Sequence, residues 1–320
     1  MWFICALFST IAWGCADLFY KKGAEANDRF SHLKTSMIVG FIMGGHAIAT
    51  LLITGIDYNP MNLVCYLPVS AMYILSMTVG YFGLRYLELS ISSPIQNSSG
   101  AVSCILCFVV LGQTMDILSA AAVILICLGV VLLGLLERLE LKKERANLPA
   151  GDKSADEKYR IGFVAFLMPI LYAVIDALGT FLDAYYLDDW TETPLVGVTE
   201  DTIENVANIS YELTFLICAV IILVVLLIGK GKTTRVELKS KATKSRIFAA
   251  VFETAGQATY VYALSGNGVV AAPMIASYSI VSLILSRIFL KEKLTKWQYV
   301  AVVSVLVGIA LLGVVEGLAE

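Results

Sequence analysis

Long apolar runs dominate the pattern of hydrophobic and polar positions along this chain. Ten of them reach roughly the twenty residues that an α-helix needs to cross the hydrocarbon core of a bilayer, and short polar connections separate them. The pattern predicts ten membrane-spanning helices, at residues 2–20, 34–55, 63–84, 93–112, 118–136, 161–182, 209–229, 247–265, 270–290 and 297–315.

The basic residues all fall on one side of this ten-span pattern. The 23 Lys and Arg residues lie in the odd-numbered connections, whereas the even-numbered connections and both tails hold none. Basic connections remain in the cytoplasm of membrane proteins. The charges therefore predict a multi-pass membrane protein with both termini outside, and we expect it in the plasma (inner) membrane of a bacterium.

The amino-acid composition serves mainly to exclude classes of protein. A mean hydropathy of +0.79, with 58% hydrophobic and 15% charged residues, is incompatible with a soluble globule. The lipid bilayer is the main expected partner, and nucleic-acid binding is not expected because anionic lipid accounts for the basic connections. The chain has no phosphate-binding glycine loop or ATP-binding module and only two His residues. We expect no enzymatic activity, cofactor or metal, and either a monomer or a homodimer.

The sequence contains an internal repeat. A shift of 179 places aligns 94–137 with 273–316 at fourteen identical positions, which include Pro94 with Pro273 and Gly129 with Gly308. A shift of 159 places aligns Asp17 with Asp176. Because each copy holds five spans, an odd number, the second copy must enter the membrane from the opposite side.

These observations predict an all-α membrane protein with ten transmembrane helices arranged as two inverted five-helix repeats. The first repeat covers residues 1–136 and a cytoplasmic linker covers 137–160. The second repeat covers 161–320 and includes an external loop at 188–208, which carries six acidic residues and no basic one.

Two features of this arrangement resemble a known family. A proline lies early in spans 4 and 9, and these spans end in Leu-Gly-Gln at 111–113 and Leu-Lys-Glu at 290–292. With five-plus-five spans, the chain resembles the EamA family of drug/metabolite transporters over almost its whole length. The resemblance implies a transporter with both tails in the cytoplasm; we follow the charges, which place them outside.

The symmetry-related acids Asp17 and Asp176 are the strongest site signal. An ionisable side chain deep in a span is costly and points to function. Each acid lies one helical turn from an aromatic residue, Trp13 or Tyr172. Glu253, with Gln257 and Tyr260, adds a polar stripe at helical spacing in span 8.

Further candidates come from spans 3, 4 and 9, where polar residues follow Pro94 and tyrosines are frequent. The predicted substrate-binding residues are Trp13, Asp17, Tyr81, Gln96, Asn97, Tyr172, Asp176, Glu253, Gln257, Tyr260 and Tyr278. The candidates for proton coupling are Asp17, Asp176, Glu253 and His46. Asp183 and Glu212, near the outer ends of spans 6 and 7, are expected at a solvated rim.

The absence of Lys and Arg from mid-membrane positions restricts the substrate, because anionic solutes need buried positive charge to balance them. Acids and aromatic rings suit an organic cation or amine. We therefore predict a secondary transporter that moves such a metabolite by alternating access, driven by a proton or substrate gradient. A neutral sugar or amino acid is the alternative substrate. A membrane enzyme and a structural or receptor-like protein are less consistent with duplicated intramembrane acids.

Overall fold

The structure is a computed structural model that describes residues 1–87, 89–146, 153–229, 240–291 and 295–319. In these ranges the chain is helical and contains no β-strand. The helices are α1 (Trp2–Gly23), α2 (Ser31–Thr54), α3 (Asn62–Cys65), α4 (Leu67–Gly83), α5 (Leu89–Gln96), α6 (Ser99–Val110), α7 (Ile117–Ala146), α8 (Lys153–Asp188), α9 (Ile203–Ile228), α10 (Lys241–Ala276), α11 (Tyr278–Leu285) and α12 (Lys296–Ala319), with a π-turn at Ser286–Leu290.

Eight helical segments in the described ranges are long and apolar enough to cross a membrane. Large aliphatic side chains such as Leu52, Val109 and Leu227 point outward from the helix bundle, which suits contact with lipid tails rather than water. The predicted all-helical, multi-pass character is confirmed, but ten spans are not. Two predicted spans, 63–84 and 247–265, account for the difference.

The span predicted at 63–84 is interrupted at Tyr66, which leaves α4 as an apolar helix of 17 residues. The break predicted between spans 8 and 9, at 266–269, is not a break in the structure. Helix α10 runs through it from Lys241 to Ala276. The first part of α10 carries polar side chains such as Glu253 and Gln257, which face the interior. They lower the mean hydropathy of this part below that of a typical membrane span.

The helices pack in four main pairs: α1 with α10, α4 with α8, α2 with α9, and α7 with α12. Small residues let these helices approach closely. A Cβ atom placed on Gly129 of α7 would overlap Val305 of α12, and one placed on Gly308 of α12 would lie 2.7 Å from Ile126 of α7. The repeat makes these two contacts equivalent. The shift of 179 places relates Gly129 to Gly308 and also relates Ile126 to Val305.

Two helix interruptions occur at equivalent positions of the sequence repeat. Helix α5 ends at Gln96 and α6 follows from the cap residue Ser98. Helix α10 ends at Ala276 and α11 follows from the cap residue Ser277, 179 places later. The helix interior contains a proline just before each interruption, Pro94 or Pro273. Because proline removes a backbone donor and crowds the preceding turn, it favours a break there.

Basic residues from three separate connections meet at one end of the bundle, which we call the basic end. Arg85, after α4, donates to the carbonyls of Glu25 and Ala26 in the α1–α2 loop at 3.3 and 3.0 Å. Arg246, on α10, pairs with the Glu25 carboxylate at 2.8 Å. Lys21, at the end of α1, donates to the Leu84 carbonyl at 3.0 Å. Three of the predicted odd-numbered connections, the first, third and seventh, thus lie on the same side.

The helices extend into both of the long predicted connections. Helix α7 continues to Ala146 and α8 starts at Lys153, so helix occupies much of the predicted linker 137–160, and its residues 147–152 lie outside the described ranges. In the predicted external loop, only the stretch from 189 to 202 is irregular. The Asn62 side chain donates to the Val196 carbonyl at 3.0 Å and accepts from the Val196 amide at 2.7 Å. These two hydrogen bonds hold this stretch against the bundle.

Candidate functional site

A cavity lies in the middle of the bundle, enclosed by α1, α4, α8, α9 and α10 and by the two helix interruptions. Its volume is about 60 Å³, room for roughly four water molecules. The lining residues are Trp13, Asp17, Tyr20, Tyr73, Met77, Gly80, Tyr81, Leu84, Gln96, Asn97, Ser99, Gly100, Tyr172, Asp176, Thr180, Tyr211, Glu253, Gln257, Tyr260, Ala272, Ile275, Ala276 and Tyr278.

Three carboxyl groups face this cavity, and the first is that of Asp17 on α1. Asp17 is 7% exposed. One of its oxygens accepts hydrogen bonds from Ser93 of α5 at 2.6 Å and Ser282 of α11 at 2.7 Å. The aspartate therefore joins three helices, and its partners are neutral hydroxyls.

The other two carboxyl groups also have hydroxyl partners. Ser99, the first residue of α6, donates to Asp176 of α8 at 2.8 Å, and Tyr20 donates to Glu253 of α10 at 3.3 Å. No Lys, Arg or His is among the described residues that line the cavity. Because hydroxyl donors only partly offset a buried negative charge, the cavity is suited to a positively charged guest.

Aromatic rings form most of the remaining wall. Trp13 packs against Tyr260 and Tyr278 with ring centroids 5.0 and 5.8 Å apart. Tyr20 and Tyr81 lie 4.5 Å apart, and the Tyr81 hydroxyl has no hydrogen-bond partner among the described residues. The cavity therefore offers ring faces together with tyrosine hydroxyls.

A layer of hydroxyl groups closes the cavity on the side away from the basic end. The hydroxyls of Tyr73 on α4 and Tyr260 on α10 are 2.6 Å apart, and Tyr73 also donates to Thr180 of α8 at 3.1 Å. Asp183, one turn beyond Thr180 on α8, is 0% exposed and accepts a hydrogen bond from Tyr66. A fourth buried acid therefore lies beyond the cavity wall.

Amide side chains stand at the α5–α6 interruption. Gln96 donates to Ser92 at 3.1 Å, and Asn97 donates to the carbonyl of Ser93 at 2.8 Å. On α10, Gln257 donates to Asn208 of α9 at 3.4 Å. These groups keep an amide oxygen or nitrogen near the cavity, which can serve neutral polar solutes as well as cations.

The structure brings together all eleven residues that the sequence predicted to bind substrate, because each of them lines this one cavity. Their role in binding stays a prediction. His46, a predicted proton-coupling residue, lies elsewhere. It pairs with Glu212 of α9 at 2.8 Å, on the α2–α9 interface, and does not line the cavity.

Several residues of the site were missed from the sequence. Tyr20, Tyr73 and Tyr211 line the cavity, but their spacing did not distinguish them from tyrosines at a membrane interface. The expected rim positions of Asp183 and Glu212 are wrong, since these side chains are 0% and 1% exposed. Helix α8 runs on to Asp188 and α9 starts at Ile203, so both acids lie within helix pairs. Within the described ranges, no group of three His, Cys, Asp or Glu residues is arranged to hold a metal.

Comparisons with known proteins agree with this architecture. A solved crystal structure is similar over 99% of this chain and 98% of its own, with a TM-score of 0.63 and 12% sequence identity, which is a likeness of fold alone. No curated protein matches the chain. The model of the EamA-like transporter family matches residues 1–135 and 210–314. The chain therefore belongs to the EamA-like transporter family, whose members are membrane transporters of small substrates.

Proposed function

We propose that this protein is a secondary transporter that carries a small organic cation or amine across the membrane. One observation carries the proposal: the central cavity combines three carboxyl groups, seven tyrosines and one tryptophan, and no basic side chain among its described lining residues. Aromatic faces attract ammonium groups, and nearby carboxylates supply the balancing charge. An anionic substrate would meet only repulsion there.

Alternating access is the proposed mechanism, with the chain arranged as the two inverted five-helix repeats that the sequence predicts. The reciprocal glycine contacts between α7 and α12 support a two-fold relationship between the repeats, as do the equivalent interruptions at Ser98 and Ser277. Both interruptions border the cavity. Because an interrupted helix can bend at the break, these points are suited to open the cavity to one side at a time. Its small volume fits a closed state that must widen to admit substrate.

We assign cation or proton binding in the transport cycle to the three cavity carboxyls, Asp17, Asp176 and Glu253. Carboxyls without basic partners can exchange a proton for a cationic substrate, which would couple transport to a proton gradient. His46 does not line the cavity and is paired with Glu212. A proton role for His46 would therefore have to operate through that acid. We expect a protonophore to abolish accumulation driven by an imposed pH gradient.

The decisive experiment uses choline as a quaternary ammonium probe and glucose as a neutral one. Protein in proteoliposomes should take up labelled choline, and Asp17→Asn and Asp176→Asn should each reduce uptake at least tenfold, because each removes a charge opposite the ammonium. Glu200→Gln is the matched control, since Glu200 is an exposed acid on the connection between α8 and α9. Unchanged uptake in both aspartate variants would overturn the proposal.

Binding can be measured separately from transport through Trp13, one of four tryptophans and the one in the cavity wall. Choline should change the intrinsic fluorescence of the protein, and Trp13→Phe should remove that change. If glucose or a neutral amino acid changes the fluorescence and choline does not, the substrate is the neutral polar solute that the amides of Gln96, Asn97 and Gln257 would suit.

We further propose that the basic end faces the cytoplasm of a bacterium, which puts both termini outside. The convergence of Lys21, Arg85 and Arg246 on one side supports this orientation. A C-terminal alkaline phosphatase fusion should be active in cells, whereas a C-terminal green fluorescent protein fusion should be dark. The reverse result would place the C-terminus in the cytoplasm and overturn the proposed orientation.

A further inference from the structure

We propose that a cleft at the basic end binds the phosphate group of an anionic phospholipid. The cleft lies where the α1–α2 loop and the first turn of α2 meet the end of α4, and its volume is about 530 Å³. We call it the basic cleft. Its lining residues are Asn27, Arg29, Phe30, His32, Leu33, Phe82, Arg85 and Tyr86. It is separate from the central cavity, with which it shares no lining residue.

The basic cleft has a surplus of positive charge. No acid is among its described lining residues. The two acids of the α1–α2 loop are already engaged, Asp28 with Lys34 at 2.7 Å and Glu25 with Arg246 at 2.8 Å. In the described structure neither Arg29 nor Arg85 has a carboxylate partner. The positive end of the α2 dipole adds to this field.

Arg85 is held in place before any ligand arrives. The residue is 9% exposed, and its guanidinium donates to the carbonyls of Glu25, Ala26 and Arg29 at 3.0–3.3 Å. It also lies 5.4 and 5.1 Å from the ring centroids of Phe82 and Tyr86. A fixed guanidinium loses little conformational entropy on binding an anion. Backbone carbonyls do not neutralise its charge, so that charge is available to a phosphate.

Two further groups complete the site. Arg29 is exposed and lies over the Phe30 ring at 5.7 Å, so its side chain is free to close on an anion. The Nδ1 atom of His32 is buried and has no hydrogen-bond partner among the described residues. A phosphate oxygen or a headgroup hydroxyl in the cleft would supply that partner.

The position of the cleft favours a lipid phosphate over a soluble one. It lies between the ends of two apolar helices, α2 and α4, at the level where a span leaves the membrane. Aromatic and basic side chains together are typical of this level, and basic pockets between helices on the cytoplasmic side suit anionic headgroups. Phe30, Phe82 and Tyr86 can contact the glycerol and upper acyl region while the arginines hold the phosphate.

The test compares three probes with protein purified in detergent: phosphatidylglycerol, phosphatidylcholine and inorganic phosphate. Native mass spectrometry should show bound phosphatidylglycerol in preference to phosphatidylcholine, and a thermal-unfolding assay should show stabilisation by phosphatidylglycerol. Arg29→Gln should weaken phosphatidylglycerol binding about tenfold, the effect of one lost phosphate contact. Lys244→Gln is the matched control, because Lys244 is exposed at the same end but outside the cleft.

Arg85→Lys adds a second variant, since it keeps the charge but cannot reproduce the forked geometry of guanidinium; it should weaken binding while the protein still folds. Equal losses in Arg29→Gln and Lys244→Gln would indicate general surface attraction and overturn the proposal. Equal stabilisation by inorganic phosphate and by phosphatidylglycerol would also overturn it, because the lipid would then contribute nothing beyond its phosphate. Equal binding of the two lipids would exclude recognition of negative charge.

Discussion

Gly129 of α7 lies directly against Val305 of α12, with no room between them for a side-chain carbon. The reciprocal contact, Gly308 against Ile126, occupies the same crossing. Gly129→Ala and Gly308→Ala should each lower the free energy of unfolding by about 1–3 kcal/mol, because an extra methyl group overpacks a close helix contact. Thermal unfolding in detergent measures the change.

The matched control for these glycine variants is Gly45→Ala. Gly45 is also within a helix, but nothing lies within 4 Å of an added Cβ atom. Its stability should be unchanged or slightly raised, since alanine favours helix more than glycine does. If all three variants behave alike, the close α7–α12 contact does not stabilise the protein.

Asp183 should be a stability determinant even though it does not line the cavity. It is fully buried and accepts a hydrogen bond from Tyr66. Asp183→Ala should cost about 2–3 kcal/mol, because it leaves a buried hydroxyl without its acceptor. Asp183→Asn keeps an acceptor oxygen and should cost less, whereas Tyr66→Phe should cost about 1–3 kcal/mol because it leaves the buried carboxyl without its donor. Chemical unfolding monitored by circular dichroism would rank the three variants. Equal losses in the two Asp183 variants would contradict a role for the Tyr66 hydrogen bond.

The pair His46–Glu212 joins α2 to α9 and should show energetic coupling. Its atoms are 2.8 Å apart, and Glu212 is 1% exposed whereas the His46 side chain is 41% exposed. A double-mutant cycle with His46→Gln and Glu212→Gln should give a coupling energy of roughly 1–3 kcal/mol. We also expect His46→Gln to retain choline uptake, because His46 does not line the cavity. Loss of the dependence on a pH gradient in that variant would instead support its predicted proton role.

Asp116, just before α7, should make the first turn of that helix sensitive to pH. It accepts hydrogen bonds from the Ser119 side chain and from the backbone amides of Ser119 and Leu118, and these bonds lower the pKa of its carboxyl below the ordinary aspartate value. A carboxyl whose pKa is lowered by folding stabilises the fold above its unfolded pKa. That stabilisation is lost as pH falls through the lowered pKa.

Hydrogen exchange of the amides in the first turn of α7 measures this effect. Protection should be weaker in Asp116→Ala than in the native protein at neutral pH, and the difference should vanish in acid. Asp116→Asn keeps a capping oxygen without a titrating charge, so its protection should not change over this range. Loss of protection in acid by the asparagine variant would point to another group.

The cavity residues could be predicted because the membrane limits where polar groups go. Asp17 and Asp176 occupy equivalent places in a duplicated sequence, and neither can face lipid without a large cost. Turning both inward brings them together, along with the neighbours one helical turn away, Trp13 and Tyr172. Glu253, Gln257 and Tyr260 follow by the same reasoning, since they share one helix face.

Other features could not be predicted from the sequence, because hydropathy does not determine helix ends or helix register. The continuity of α10 through the predicted break was not visible, since Gly266 and Gly268 resembled a connection. Tyr73 and Tyr211 were indistinguishable from interfacial tyrosines, because a tyrosine pattern suits either place. The burial of Asp183 depends on how far α8 extends toward Asp188, which only the packed structure shows.

The hydrogen bonds of Asp17 have a consequence for an empty carrier. Its two donors come from opposite repeats of the sequence, Ser93 on α5 and Ser282 on α11. Any rearrangement that parts α5 from α11 would strip the carboxylate of one donor while it is still surrounded by protein. A bound cation or a proton would compensate for that loss, so in the proposed mechanism either one would lower the barrier to reorientation. With neither bound, the carrier would stay closed, which would protect the cell against uncoupled leakage.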